Sequence, residues 1–325
     1  MNVPSAFFVL FAHDIESPSF PHTGCGGFDC SRYDLFVVSP LNFTRAHVAK
    51  LKSAGRPGSH VLGYFDTAHV PILGGCATGH SFGDHAGKNC SQYGQCGDGP
   101  YLEELRAVFP VEYADRWSNN ESIICSYPGL ADHVPHAESV AALVPLLAKT
   151  ARSSGFDGLY LDNRINAELF AGGARAASFD RGAAVSWATT KADAIAMYTA
   201  WAPALSSGLR RALGPDAILI GNSAGALSDP ALNGITLEME ACASRNCTDA
   251  ALAQAAVGAE PSVGVFWLTH AEAMPAKEQC ERVREMQRLL PWMRAGTDFI
   301  DLSHIVCNAT GASGSGATPR AQVRS

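Results

Sequence analysis

Short apolar runs that stop abruptly at polar or acidic residues recur along the chain, and segments of helical periodicity separate them. The first spans Ala6 to Ala12 and stops at His13 and Asp14. The second spans Tyr33 to Ser39, and the third, Val61 to Phe65, stops at Asp66 and Thr67. Phe156 to Leu161 stops at Asp162 and Asn163, and Ala217 to Ile220 stops at Gly221, Asn222 and Ser223. A sixth run starts at Gly234 and meets Glu238 and Glu240, a seventh covers Val263 to Thr269, and an eighth covers Asp298 to Ser303. Runs that are apolar on both parities suit strands covered on both faces. Eight of them alternating with helices predict an α/β fold, a single (β/α)8 TIM barrel.

Three helical patterns stand out. One follows Asn42, the expected cap, with Phe43, Ala46, Val48 and Leu51 in phase and Gly55 near its end. Glu138 to Arg152 carries Val140, Leu143, Val144 and Leu147 on one face, and its internal Pro145 predicts a bend or break. Asp180 to Leu213 is Ala-rich, and Pro203 and Gly208 suggest division into two helices. A further helix is expected over Lys277 to Met293. The span from Pro71 to Pro100 breaks the alternation. It is rich in Gly, Cys and His, lacks periodicity, and reads as a disulfide-rich loop after strand 3, at the active-site end of a barrel. Ile123 to Tyr127 reads as an extra strand there. The domain is expected to occupy residues 1–307, with 308–325 as a flexible tail.

Composition narrows the function. The net charge of -7 and the lack of a basic run argue against a nucleic-acid partner. No apolar run is long enough to insert into a bilayer. Ten cysteines and sequons at Asn42, Asn89, Asn120, Asn246 and Asn308 favour a secreted glycoprotein. Met1 to Leu10 lacks the basic start of a leader, which reads as mature sequence with any signal peptide missing or removed.

The chemistry gathers at the strand ends, where barrel enzymes keep it. Gly158, Tyr160 and Asp162 share one face by the two-residue period, which places Asp162 in the mouth above a small residue that leaves space. The competing reading makes Asp162 a helix cap. Asp157, of opposite parity, reads as a turn or ion-pair residue. Glu238 and Glu240 share a parity, with Glu238 deeper, while Glu240 reads equally well as an exposed loop residue. Two carboxylates on two strand ends suit acid/base cleavage of a glycosidic bond. Asp14, Asp66, Asn163, Asn222 and His270 are candidate substrate-binding groups, with Tyr64, Tyr160 and Trp267 as candidate sugar platforms, although core packing is the plainer role for an aromatic ring. His80, Asp84, His85, Cys90, Cys96 and Asp98 crowd one loop without the spacing of a metal site, so disulfides are the better account and no metal is expected. Cys25 with Cys30, and Cys242 with Cys247, are possible short closures, but spacing does not fix the connectivity. No Gly-x-Ser-x-Gly elbow, Walker loop or dinucleotide fingerprint is present, so neither that class of serine hydrolase nor a nucleotide cofactor is indicated.

The ordered series Tyr33 to Val38, Val61 to Thr67, Phe156 to Asn163 and Asn233 to Glu238 resembles the secreted barrel glycosidases of the endo-α-1,4-polygalactosaminidase and spherulin-like type. The resemblance implies a (β/α)8 barrel that hydrolyses a polysaccharide or other glycan, with no cofactor. It also implies functional acids at Asp162 and Glu238. Asn163 stands where spherulin-like members carry a second acid, and the Cys/His loop is foreign to the group. These departures keep a second reading open: a carbohydrate-binding or structural wall protein that retains the barrel without catalysis.

Overall fold

The structure is a computed structural model that describes residues 5–9, 20, 30–38, 40, 43–67, 69–71, 100–109, 125–127, 130–132, 136–162, 191–222, 229–238, 264–269 and 294–297. Its strands are β1 (Ser5–Val9), β2 (Leu35–Val38), β3 (His60–Asp66), β4 (His69–Pro71), β5 (Cys125–Tyr127), β6 (Leu130–Asp132), β7 (Gly158–Asp162), β8 (Ile218–Asn222), β9 (Gly234–Glu238), β10 (Gly264–Thr269) and β11 (Arg294–Thr297). The described helices are α1 (Arg45–Ala54), α2 (Pro100–Val108), α3 (Ser139–Ser154) and α4 (Lys191–Leu213). Eight strands close into a barrel in the order β1-β11-β10-β9-β8-β7-β3-β2, every neighbouring pair parallel. Between β3 and β7 the chain adds α2, α3 and a small antiparallel sheet of order β4-β6-β5.

Period-two alternation sorts the strand side chains into two cores. Leu35, Val37, Leu62, Tyr64, Tyr160, Ile218 and Ile220 fill the barrel. The alternate residues, among them Phe36, Val38, Val61, Phe65, Leu159, Leu161 and Leu219, pack outward with Val48, Leu51, Leu143, Leu147, Trp201, Leu205 and Leu209 of the helices. Both parities are therefore apolar because both faces are covered, and each such buried side chain contributes about 1.5–3 kcal/mol.

Most of the expected elements are present, with four corrections. Thr44, not Asn42, caps α1: its side chain accepts from the His47 N–H while His47 accepts from the Thr44 N–H. Asn42 lies outside the described residues. The helix α3 runs unbroken through Pro145. Pro145 and Ala141, whose carbonyl loses its partner, are both exposed, so solvent can satisfy the freed oxygen. Likewise α4 is one helix through Pro203 and Gly208. The strand that closes the barrel is β11, upstream of the expected 298–303 segment, which lies outside the described residues. The expected helix over 277–293, the 308–325 tail and most of the 71–100 loop also lie outside them. The extra strand is present as β5.

At the N-terminal end of the barrel, polar side chains fix one element to the next. Asp157 accepts from Lys52 Nζ at 2.6 Å and from the Val61 N–H at 2.8 Å, joining α1, β3 and β7 as an ion-pair residue. Arg45 donates to the carbonyls of Arg152 and Ser153, and Arg152 donates to that of Ala212, so each arginine covers the carbonyl end of the next helix. Arg210 donates to the carbonyls of Gly214, Pro215, Ala217 and Ala231 and to Asn233 Oδ1. Away from that end, Trp201 Nε1 donates to Ser139 Oγ at 2.7 Å, which donates to the His136 carbonyl at 2.7 Å, locking α4 to the start of α3. Cys30, fully buried before β2, is disulfide-bonded.

Candidate functional site

Strand register decides which residues share the barrel mouth. Asp66 at the end of β3 pairs with Asp162 at the end of β7, and one step deeper on the same parity Tyr64 pairs with Tyr160. The interior positions continue through Ile218 and Ile220 of β8 to Asn222, which pairs with Thr236 of β9. Glu238 has the parity of Thr236 and pairs with Leu268. The backbone thus brings Asp66, Asp162, Asn222 and Glu238 onto one rim. Glu238 lies two strands from Asp162 around the barrel. Trp267 pairs with Leu237 and so takes the opposite parity from Glu238.

The two tyrosines correct an expectation. Tyr64 and Tyr160 are 6% and 1% exposed, and their rings stack on each other at 5.9 Å between centroids and 19° between planes. With no open face, they form the floor beneath the acids rather than platforms for a sugar. Gly158 corrects another. A Cβ at this position would meet the backbone of Ile218, so the glycine permits close approach of β8 and leaves no space below Asp162.

Tyr64 donates its hydroxyl to Asp162 Oδ2. Thr67, buried at the tip of β3, makes two further bonds to the Asp162 carbonyl: its N–H donates at 3.0 Å and its Oγ1 at 2.8 Å. Sequence reasoning missed both donor roles. The signal was present in Val61 to Thr67, but only the pairing of Asp66 with Asp162 shows which acid the donors meet. Asp66 itself is 2% exposed, while Asp162 is half-buried. The remaining expected site residues, Asp14, Asn163, Glu240 and His270, and the sequons at Asn42, Asn89, Asn120, Asn246 and Asn308 lie outside the described residues. Among the described residues no cluster of His, Cys, Asp and Glu could hold a metal ion, and no helix is long and apolar enough to cross a membrane.

Burial holds the Tyr64 phenol well above the usual tyrosine range, and the neighbouring Asp162 and Asp66 charges raise it further. Below about pH 10 the phenol is protonated in the folded and unfolded protein alike. Above that pH the unfolded chain releases the proton while the folded protein retains it, so stability falls as pH rises. Denaturant midpoints measured between about pH 9 and 11 are expected to fall more steeply for the wild type than for Tyr64→Phe. Parallel curves for the two proteins would contradict this.

No protein-family model matches the chain, and no curated protein matches it. A solved structure does share its fold. The glycoside hydrolase domain of PelA from Pseudomonas aeruginosa superposes with a TM-score of 0.51 at 13% identity, covering 91% of this chain and 95% of that one. A noncanonic maltogenic α-amylase, AmyB from Thermotoga neapolitana, gives a TM-score of 0.46 at 9% identity, over 91% of this chain and 68% of that one. What the comparison shows is a shared fold, a closed barrel of parallel strands.

Proposed function

We propose that the protein is a secreted glycoside hydrolase whose reacting carboxyls are Asp162 and Glu238. The carrying observation is the mouth itself: Asp162 stands half-buried on the rim with a phenol donor on its carboxyl, and Glu238 ends another strand at the same parity. A donor to a carboxyl favours its charged form. This assigns Asp162 the base or nucleophile role and leaves Glu238 as the acid that protonates the leaving oxygen. Asn222, on the same rim, is assigned to a sugar hydroxyl beside them, and Asp14, Asn163, Glu240 and His270 are further binding groups proposed from the sequence. The fold shared with the PelA glycoside hydrolase domain supports the reaction class, and the resemblance of the strand motifs makes an amino-sugar-containing polymer the substrate class we favour. The Cys30 disulfide and the five sequons support an extracellular site of action, with residues 1–307 as the catalytic domain.

A panel of amino-sugar and neutral polysaccharides incubated with the protein, with products read by mass spectrometry, tests the reading. Shortened oligosaccharides from at least one polymer are expected. Glycans retained on an array with no product from any bound polymer would replace the hydrolase by a binding barrel.

A further inference from the structure

We propose, on the footing of that hydrolase reading, that Tyr64 is a positioning residue whose buried hydroxyl holds the Asp162 carboxylate in one orientation at the barrel mouth. Three observations carry this. The hydroxyl is bonded to Asp162 Oδ2 itself, across 98 positions of chain. The ring that bears it is fixed, being stacked on Tyr160 and enclosed with Leu62, Ile218 and Ile220 in the barrel interior. The same strand end also holds the main chain of Asp162, because Thr67 donates to its carbonyl through both N–H and Oγ1. Side chain and backbone of one acid are thus both secured by β3, so the carboxyl is constrained beyond what its own strand imposes.

The donor also governs charge. Asp66 is the register partner of Asp162, and both carboxylates act on the Tyr64 phenol, holding it protonated. A phenol that remains protonated through the working range is a donor to the charged form of the Asp162 carboxyl. Among the described residues, Asp66 and Tyr160 are the other titratable groups acting on Tyr64.

Tyr64→Phe keeps the stacked ring and removes only the donor. Titration of the Asp162 carboxyl by 13C NMR, assigned by the resonance missing from Asp162→Asn, is expected to shift its midpoint upward by about one pH unit. On a cleaved polymer, kcat is expected to fall about 10- to 100-fold with KM little changed, and the acid limb of the pH profile to move the same way. An unmoved Asp162 titration in folded Tyr64→Phe overturns the proposal. Should that variant not fold, the reverse measurement decides. Asp162→Asn is expected to lower the alkaline ultraviolet titration of the buried phenol, and an unchanged phenol titration overturns the proposal equally. The titrations need no substrate. A shifted Asp162 midpoint in a protein that cleaves no polymer would therefore refute the hydrolase reading while upholding the carboxyl–phenol coupling.

Discussion

Asp162→Asn is expected to lower turnover of the cleaved polysaccharide by about 10²- to 10⁴-fold, the range set by loss of one acid/base group. The substitution is nearly isosteric, and the amide oxygen can still accept from Tyr64, so the orientation of the side chain is retained. What disappears is the negative charge beside the scissile bond. Stability is expected to hold at neutral pH, because the two Thr67 bonds to the carbonyl of residue 162 are main-chain contacts that the exchange leaves in place. Activity and stability therefore separate: a large fall in kcat/KM accompanies a thermal midpoint close to that of the wild type. Glu238→Gln is expected to fall by a similar factor, and the double variant by much less than the product, since both groups act on one bond. Wild-type turnover in Asp162→Asn would remove the residue from the chemistry and leave the helix-cap role as its explanation.

The strands were legible because burial on both faces leaves a simple trace, a short run that is mostly apolar. Val61 to Phe65 and Phe156 to Leu161 stand out for that reason, and the alternation within them placed Tyr160 and Asp162 on one face. The closing strand β11, Arg-Ala-Gly-Thr, offers neither β-branched density nor apolar length, and a more apolar run follows it. Pro145 misled for a different reason. Its cost depends on whether the carbonyl left without a partner is buried, and exposure is set by tertiary packing. The acids were found by position at strand ends, whereas their partners were not. Tyr64 reads as a generic aromatic until the register of β3 against β7 places its hydroxyl on Asp162. Register is a long-range property, fixed here partly by Asp157 accepting the Val61 N–H at the opposite end of the same strands.

Gly158→Ala is expected to destabilise the protein by about 3 kcal/mol or more, at or beyond the upper end of ordinary overpacking. The usual expectation for this exchange in a strand has the opposite sign: alanine restricts the unfolded chain and adds about 0.4–1 kcal/mol where the native backbone tolerates it. Here the geometry does not tolerate it. A Cβ on Gly158 would lie 1.8 Å from the Ile218 carbonyl oxygen, 2.6 Å from its carbon and 2.7 Å from its nitrogen. These are backbone atoms of the paired strand, so no rotamer change can move them aside. Relief requires β7 and β8 to separate, against the bond from the Ile218 N–H to the Asp157 carbonyl at 2.9 Å and the register of Leu159 with Leu219 and Tyr160 with Ile220. Separation would also move Tyr160, on which the Tyr64 ring rests, and with it the donor to Asp162. The damage should therefore appear twice: as a lower denaturant midpoint, and as an Asp162 titration in the surviving folded fraction that shifts toward that of Tyr64→Phe. A soluble Gly158→Ala protein with the wild-type midpoint would show that the two strands do not approach each other as closely as this contact requires.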